Sequence, residues 1–224
     1  MKKLAIILLL NSLFFNLLSQ LNEVRTELYN YISVESDDVV FIGNSITYGG
    51  QWSNIFPGIK VKNRGISGNT TQMILERLPA ITKGKPQKVF LLIGVNDIAT
   101  AVNTAPILQN ISGIIEQIKR ESPSTQIYVQ SVLPVNSTFS NFSHNSRGEL
   151  IEELNQQLQE LCGRKSVTYI DVFSHLTISP ANKNLNPLYT NDGLHLLGEG
   201  YAKWAEILKP YLGTETIGIS KGLN

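Results

Sequence analysis

Val39-Val40-Phe41-Ile42-Gly43-Asn44-Ser45-Ile46-Thr47 is the run on which the rest of the chain depends. Val39 to Ile42 are apolar and mostly β-branched, the composition of a short strand buried on both faces. Gly43 breaks the run, and Asn44 and Ser45 stand where such a strand leaves its sheet. Loops at the carboxyl ends of parallel strands converge over a rigid base, which is where α/β folds place their chemistry. Ser45 is therefore a candidate nucleophile. Asn and Ser are equally the ordinary caps of a helix start, so this stretch alone leaves both readings open.

Outward from that strand, apolar runs and helical periods alternate. Strands are expected over 38–42, 59–62, 88–93, 126–132 and 167–172. The run over 88–93 is the most apolar and reads as central, while 59–62 alternates and reads as nearer an edge. Helical spacing is seen over 21–31 and 70–78, the latter ended by Pro79. A long helix is expected from Thr104 to about Glu121, with Pro106 tolerated in its first turn. Another is expected over 147–162, ended by Gly163, and a last one from Gly198 through Leu208, stopped by Pro210. Strands alternating with helices predict a parallel sheet covered on both faces. No repeat or linker divides the chain, so one domain is expected over 20–212, with a loosely attached tail over 213–224.

The chain has 224 residues, 42% hydrophobic and 17% charged, enough for a full core and unlike a disordered polymer. A formal charge of +1 argues against nucleic acid or an anionic membrane as the main partner. Cys162 is the only cysteine, which excludes an internal disulfide. It falls on the apolar side of a helix and reads as a buried thiol. Lys2 and Lys3 precede an apolar run from Leu4 to Leu10 that continues with breaks to Leu18. This is the pattern of a secretory signal peptide over 1–19. It predicts a secreted or periplasmic protein without stable membrane insertion after signal removal. No cysteine lies near the boundary to carry a lipid.

Three further stretches carry chemical groups. Asn63-Arg64-Gly65-Ile66-Ser67-Gly68-Asn69-Thr70-Thr71 lies between a strand and a helix. Its glycines allow backbone N–H groups to approach a ligand closely; it also reads as an ordinary turn. Gly94-Val95-Asn96-Asp97 follows the central strand, and the Asn96 amide has two donors for a developing oxyanion. Asp97 reads as a cap on the following turn. Asn191-Asp192-Gly193-Leu194-His195 holds the only one of three histidines with a carboxylate three residues before it. That spacing lets one loop offer Asp192 to one imidazole nitrogen and turn the other toward a hydroxyl. The histidines form no metal-ligand spacing, so no metal or other cofactor is expected. The α/β-hydrolase elbow G-x-S-x-G is absent, its nearest approach failing at Asn69.

Taken in order, these blocks resemble the SGNH hydrolases, also called the GDSL esterase/lipase family. Gly43-Asn44-Ser45-Ile46 resembles the first block, with Asn for Asp and Ile for Leu. Gly68 stands for the glycine of the second, Gly94-Val95-Asn96-Asp97 for the third and Asp192-Gly193-Leu194-His195 for the last. Each block alone has ordinary readings; their common order carries the likeness. The run over 63–78 is similar to the α-subunits of platelet-activating-factor acetylhydrolase and to bacterial carbohydrate acetylesterases. The resemblance implies a flavodoxin-like α/β/α sandwich of three layers with five parallel strands. It implies a Ser45–His195–Asp192 triad and an oxyanion hole from the Ser45 and Gly68 N–H groups and the Asn96 side chain. A short acyl ester, most of all an acetyl ester on a glycan or small molecule, is the expected substrate. A lysophospholipase or thioesterase for longer chains is the runner-up, and a non-catalytic binding protein on the same scaffold is the alternative of another class. Oligomeric state is not legible.

Overall fold

The Val39–Gly43 segment forms strand β1, buried at every position. It pairs in parallel with β2 (Val61–Gly65) on one side and β3 (Lys88–Leu92) on the other. β4 (Gln126–Gln130) and β5 (Thr168–Ile170) follow, also parallel, giving the order β2-β1-β3-β4-β5. This computed structural model describes residues 17, 19–101 and 103–213. Most of the expected signal segment and the tail after Gly213 lie outside the described residues. The helices are α1 (residues 19–31), α2 (Ser45–Gly49), α3 (Trp52–Ile55), α4 (Thr71–Arg77), α5 (Pro79–Thr82), α6 (Val95–Ile98), α7 (Ala105–Glu121), α8 (Gly148–Lys165), α9 (Phe173–Leu176) and α10 (Gly198–Leu212). The architecture is the flavodoxin-like α/β sandwich with five parallel strands. No helix among the described residues is long and apolar enough to cross a membrane.

Register explains one face of the core. Phe41 lies opposite Phe90, and Phe90 opposite Tyr128. Their rings stack in a row across three strands at centroid spacings of 5.0 and 4.6 Å. Trp52 of α3 stacks on Phe41 at 4.5 Å, and Trp204 of α10 meets Trp52 edge-on at 4.6 Å. Large rings bury much area, and their polar edges need partners. Trp204 Nε1 donates to Gln130 Oε1 at 2.7 Å, and Trp52 Nε1 to the Thr47 carbonyl at 2.8 Å. On the sheet's aliphatic side, α7 buries Ile107, Ile111, Ile114, Ile115 and Ile118, a helical stripe.

Several boundaries differ from the sequence expectations. β2 runs over 61–65, later than the alternating 59–62 run, because its Gly65 pairs with Gly43 at the end of β1. α8 passes through Gly163 and stops at Ser166, whose left-handed φ of 49° turns the chain so that its N–H caps the Cys162 and Gly163 carbonyls. Cys162 is buried, and burial pushes its thiol up to about 11. α10 carries Pro210 inside it and ends at Leu212, with Gly213 in the left-handed region at φ 80°. Proline forfeits a hydrogen bond there, but burial of Trp204, Leu208 and Leu212 holds the last turn to the sheet.

α1 is turned inside out relative to an ordinary surface helix. Leu21, Val24, Leu28 and Tyr31 follow a helical period yet are exposed. The inward side is polar because the surface beneath it offers backbone carbonyls. Asn22 Nδ2 donates to the Ser67 carbonyl at 2.8 Å, and the Tyr29 hydroxyl to the Gly65 carbonyl at 3.1 Å. The Arg64 guanidinium lies over the Tyr29 ring.

Candidate active site

The strand order reverses direction at β1 and β3, and the residues leaving these two strands are neighbours: Gly43 lies opposite Leu92. Such a switch point opens a crevice at the carboxyl edge of the sheet. Gly43 is required by close approach. A Cβ there would sit 2.1 Å from Thr47 Oγ1 and 2.5 Å from the Leu92 carbonyl. Asn44 then caps α2, its side-chain oxygen accepting from the Ile46 N–H at 3.0 Å. The capping role thus falls to Asn44. Ser45 is the first residue of the helix, and its Oγ lies 3.0 Å from His195 Nε2.

The loop before α10 is wound by its own side chains. Thr190 Oγ1 accepts from the Gly193 N–H at 2.9 Å, and Asp192 Oδ1 from the Leu194 and His195 N–H groups at 2.9 and 2.8 Å. The other Asp192 oxygen, Oδ2, is 2.7 Å from His195 Nδ1. Gly193 has φ 80°, and a Cβ on it would press on Asn145 and Phe139 at 2.8 Å and the Asn136 carbonyl at 2.9 Å. The Asn136 N–H donates to the Gly193 carbonyl, and Asn145 Nδ2 to the Asp192 carbonyl. Burial alone would raise the Asp192 carboxyl. The hydrogen bonds from the His195 ring, its amide and the Leu194 amide outweigh burial and hold it below the ordinary carboxylate range. The His195 side chain is 37% exposed and that of Asp192 20%, so the imidazole faces the crevice over a sheltered carboxylate.

The loops after β2 and β3 are stitched to each other. Gly68 has φ 76° in a turn closed by the Asn69 N–H on the Ile66 carbonyl. Asn96 Nδ2 donates to the Asn69 carbonyl at 2.9 Å, which places Asn96 beside the Gly68 turn. Arg77 of α4, half-buried without a carboxylate partner among the described residues, donates to Asn69 Oδ1 and to the Gly43 and Arg64 carbonyls. Burial lowers its pKa to about 10. One guanidinium therefore ties the ends of β1 and β2 to the glycine turn. Asp97 does not cap its own turn. Its carboxylate accepts from the Thr71 N–H at 3.0 and 3.1 Å and from Thr71 Oγ1 at 2.5 Å, capping α4. The free N–H groups of a helix start attract a carboxylate, and here the start of α4 supplies the donor.

Two residues that the motifs do not single out also reach the site. His144 sits in the 3₁₀ turn Ser143–Ser146, with Nε2 3.2 Å from Asn96 Oδ1. Phe142 stands edge-on to both His144 and His195, at 5.9 and 5.6 Å between ring centres. The loop over 134–146 thus walls the crevice. The segment over 178–189 is bonded to that loop, with Asn184 Oδ1 accepting from Ser137 and the Leu185 N–H donating to the Val135 carbonyl. Among the described residues no group of three or more His, Cys, Asp or Glu is placed to hold a metal ion.

Comparison with known proteins adds an independent line. The profile of the GDSL-like lipase/acylhydrolase family matches residues 41–203. An N-acylneuraminate cytidylyltransferase of Escherichia coli is 29% identical over 207 residues; the match takes in 88% of this chain, which spans only 45% of that protein's length. The rat platelet-activating factor acetylhydrolase IB subunit alpha2 is 28% identical, covering 77% of this chain and 73% of its own length. A solved Streptococcus pneumonia protein, provisionally described as a platelet activating factor, is 35% identical with a TM-score of 0.81, covering 91% of this chain and 98% of its own.

Proposed function

The chain belongs to the GDSL-like lipase/acylhydrolase family and is a carboxylic ester hydrolase, and from that premise we propose that it removes short acyl groups, above all acetyl groups, from carbohydrate esters. The observation that carries the reading is the chain of contacts from Ser45 Oγ through the His195 ring to the Asp192 carboxylate, at 3.0 and 2.7 Å. In this reading His195 Nε2 takes the Ser45 proton as Oγ attacks the acyl carbonyl. Asp192 holds Nδ1 protonated and stabilises the imidazolium. The oxyanion is met by the Ser45 and Gly68 N–H groups and by the Asn96 amide, each such donor worth about 10²–10³ in rate. The alcohol leaves with the proton from His195, and water, activated by the same nitrogen, releases the acid from Ser45.

Two features favour acetyl on sugar over a long acyl chain. A groove of ≈ 640 Å³ starts at Gly68 and Asn69, beside the site rather than at Ser45, and runs between α1 and α4. Glu23, Asn30 and Ser67 place polar groups along it among Ile66, Met73, Pro79 and Ala80, a mixed lining able to meet both the hydroxyls and the ring faces of a sugar. The rat relative's name also describes acetyl hydrolysis. The charged and apolar sequence at the N-terminus supports action outside the cytoplasm.

Ser45→Ala should lower hydrolysis of p-nitrophenyl acetate by about 10⁴ or more while the protein stays folded; a fluorophosphonate probe should label the parent protein and not this variant. Retained activity, or absence of labelling in the parent, would overturn the nucleophile assignment and favour a binding protein. Rates along a series from acetyl to dodecanoyl esters should peak at acetyl. A maximum at the long end would replace this reading with a lysophospholipase or thioesterase.

A further inference from the structure

The geometry points to His144 as a positioning residue that locks the Asn96 amide in the one orientation able to serve the oxyanion, an inference that rests on the reading of Asn96 as an oxyanion donor. Asn96 has two ends and two anchors. Its Nδ2 donates to the Asn69 carbonyl at 2.9 Å, and its Oδ1 lies 3.2 Å from His144 Nε2. A carbonyl and an amide oxygen can only accept, so the network requires the proton of His144 on Nε2. A flipped Asn96 would set its oxygen against the Asn69 carbonyl and its NH₂ against the imidazole N–H. Both anchors therefore favour the same amide orientation. That leaves the second Nδ2 hydrogen free for a developing negative charge, with the amide oxygen turned away from it.

The surroundings of His144 suit a fixed neutral donor. Its Nδ1 is buried and has no partner among the described residues, as expected of the bare nitrogen in this tautomer. Burial, and then the nearby His195, push its pKa below the usual histidine value. The Phe142 ring stands edge-on to both imidazoles and gives each an apolar neighbour. A neutral His144 also avoids a second cation beside His195 when that ring takes the Ser45 proton. His144 touches neither Ser45 nor the reacting carbonyl in this account; it acts through Asn96.

The test is a set of four variants assayed with p-nitrophenyl acetate, each checked for an unchanged melting temperature. His144→Leu keeps a similar volume and removes the donor. It should lower kcat about 10-fold and leave KM within about twofold, the scale of a misaligned catalytic group. His144→Gln can place an N–H near the former Nε2 and should recover kcat to within about threefold of the parent. Asn96→Ala should lower kcat by about 10²-fold or more, and Asn96→Ala with His144→Leu should be no slower than Asn96→Ala alone. An equal further loss in the double variant overturns the inference, as does a folded His144→Gln no faster than His144→Leu. A folded His144→Leu with parental kcat overturns it too while leaving Asn96 in its role. Parental kcat in Asn96→Ala instead removes the oxyanion assignment itself.

Discussion

Asp97, in the short helix α6, and Asp192, in the loop before α10, both lie over the carboxyl side of the sheet beside a motif asparagine or glycine, yet their carboxyl groups are driven in opposite directions. Burial raises Asp97, and the hydrogen bonds from Thr71 only partly offset it. Burial opposes Asp192 as well, but the His195 ring and two backbone amides overcome it, and its pKa falls. The difference lies in the partners. Asp97 is met by a neutral hydroxyl and one amide at the start of α4, whereas Asp192 faces a group able to carry positive charge. A carboxylate within a motif is thus not a participant because of its place in the motif. Asp97 ties its turn to the start of α4, and Asp192 holds the His195 ring.

Replacing each carboxylate by its amide should break this symmetry most visibly. Asp192→Asn should cost about 10⁴ in kcat, because an amide in that place favours the wrong imidazole tautomer. Asp97→Asn should cost less than about tenfold, with a loss of about 1 kcal/mol in stability as the α4 cap weakens. Equal rate losses measured for the two would erase the distinction. A smaller effect is expected from Gly193→Ala, which forces a side chain into φ 80° against Asn136, Phe139 and Asn145. About 1–3 kcal/mol of strain should lower the melting temperature and loosen Asp192 and His195 together, so kcat falls with little change in KM. A variant as stable and active as the parent would show that the loop does not need its left-handed turn.

The smallest effects are in pH. Hydrolysis should fall on acidification as the imidazole base gains a proton. At lower pH the two carboxylates separate. The folded-state pKa of Asp192 is lowered, so its contribution is present above the unfolded value and lost as pH falls through the folded one. That of Asp97 is raised, so the folded state takes up its proton first and gains stability as pH falls through it. Because Asp97→Asn lacks this group, its melting temperature should drop further below that of the parent as pH falls from about 6 to 3; a constant gap would contradict the raised Asp97.

Much of this was legible from the chain alone. The apolar runs over 39–42 and 88–93 announce the central strands because a parallel sheet buried on both faces needs continuous apolar sequence, while the outer strands show only short or alternating patterns. Ser45, Asn96 and His195 stand out because each follows a strand or precedes a helix where polar groups interrupt such runs. What stayed hidden has a common cause. His144 lies in a polar loop without a period, and only its approach to Asn96 distinguishes it from His175. The partner of Asp97 is 26 residues away at the start of another helix. Pro210 inside α10, and the outward apolar side of α1, depend on what lies beneath each helix rather than on its own residues.

Sequence by itself determined which segments must be buried, where polar chemistry leaves the sheet and which glycines free the turns, because these follow from local hydrophobicity and backbone sterics. Tertiary structure alone decided which of those polar groups face one another. Hydrogen bonds of about 3 Å between Ser45 and His195, or Asn96 and His144, are set by strand register and helix packing across 150 and 48 residues of chain, distances over which no local pattern carries information.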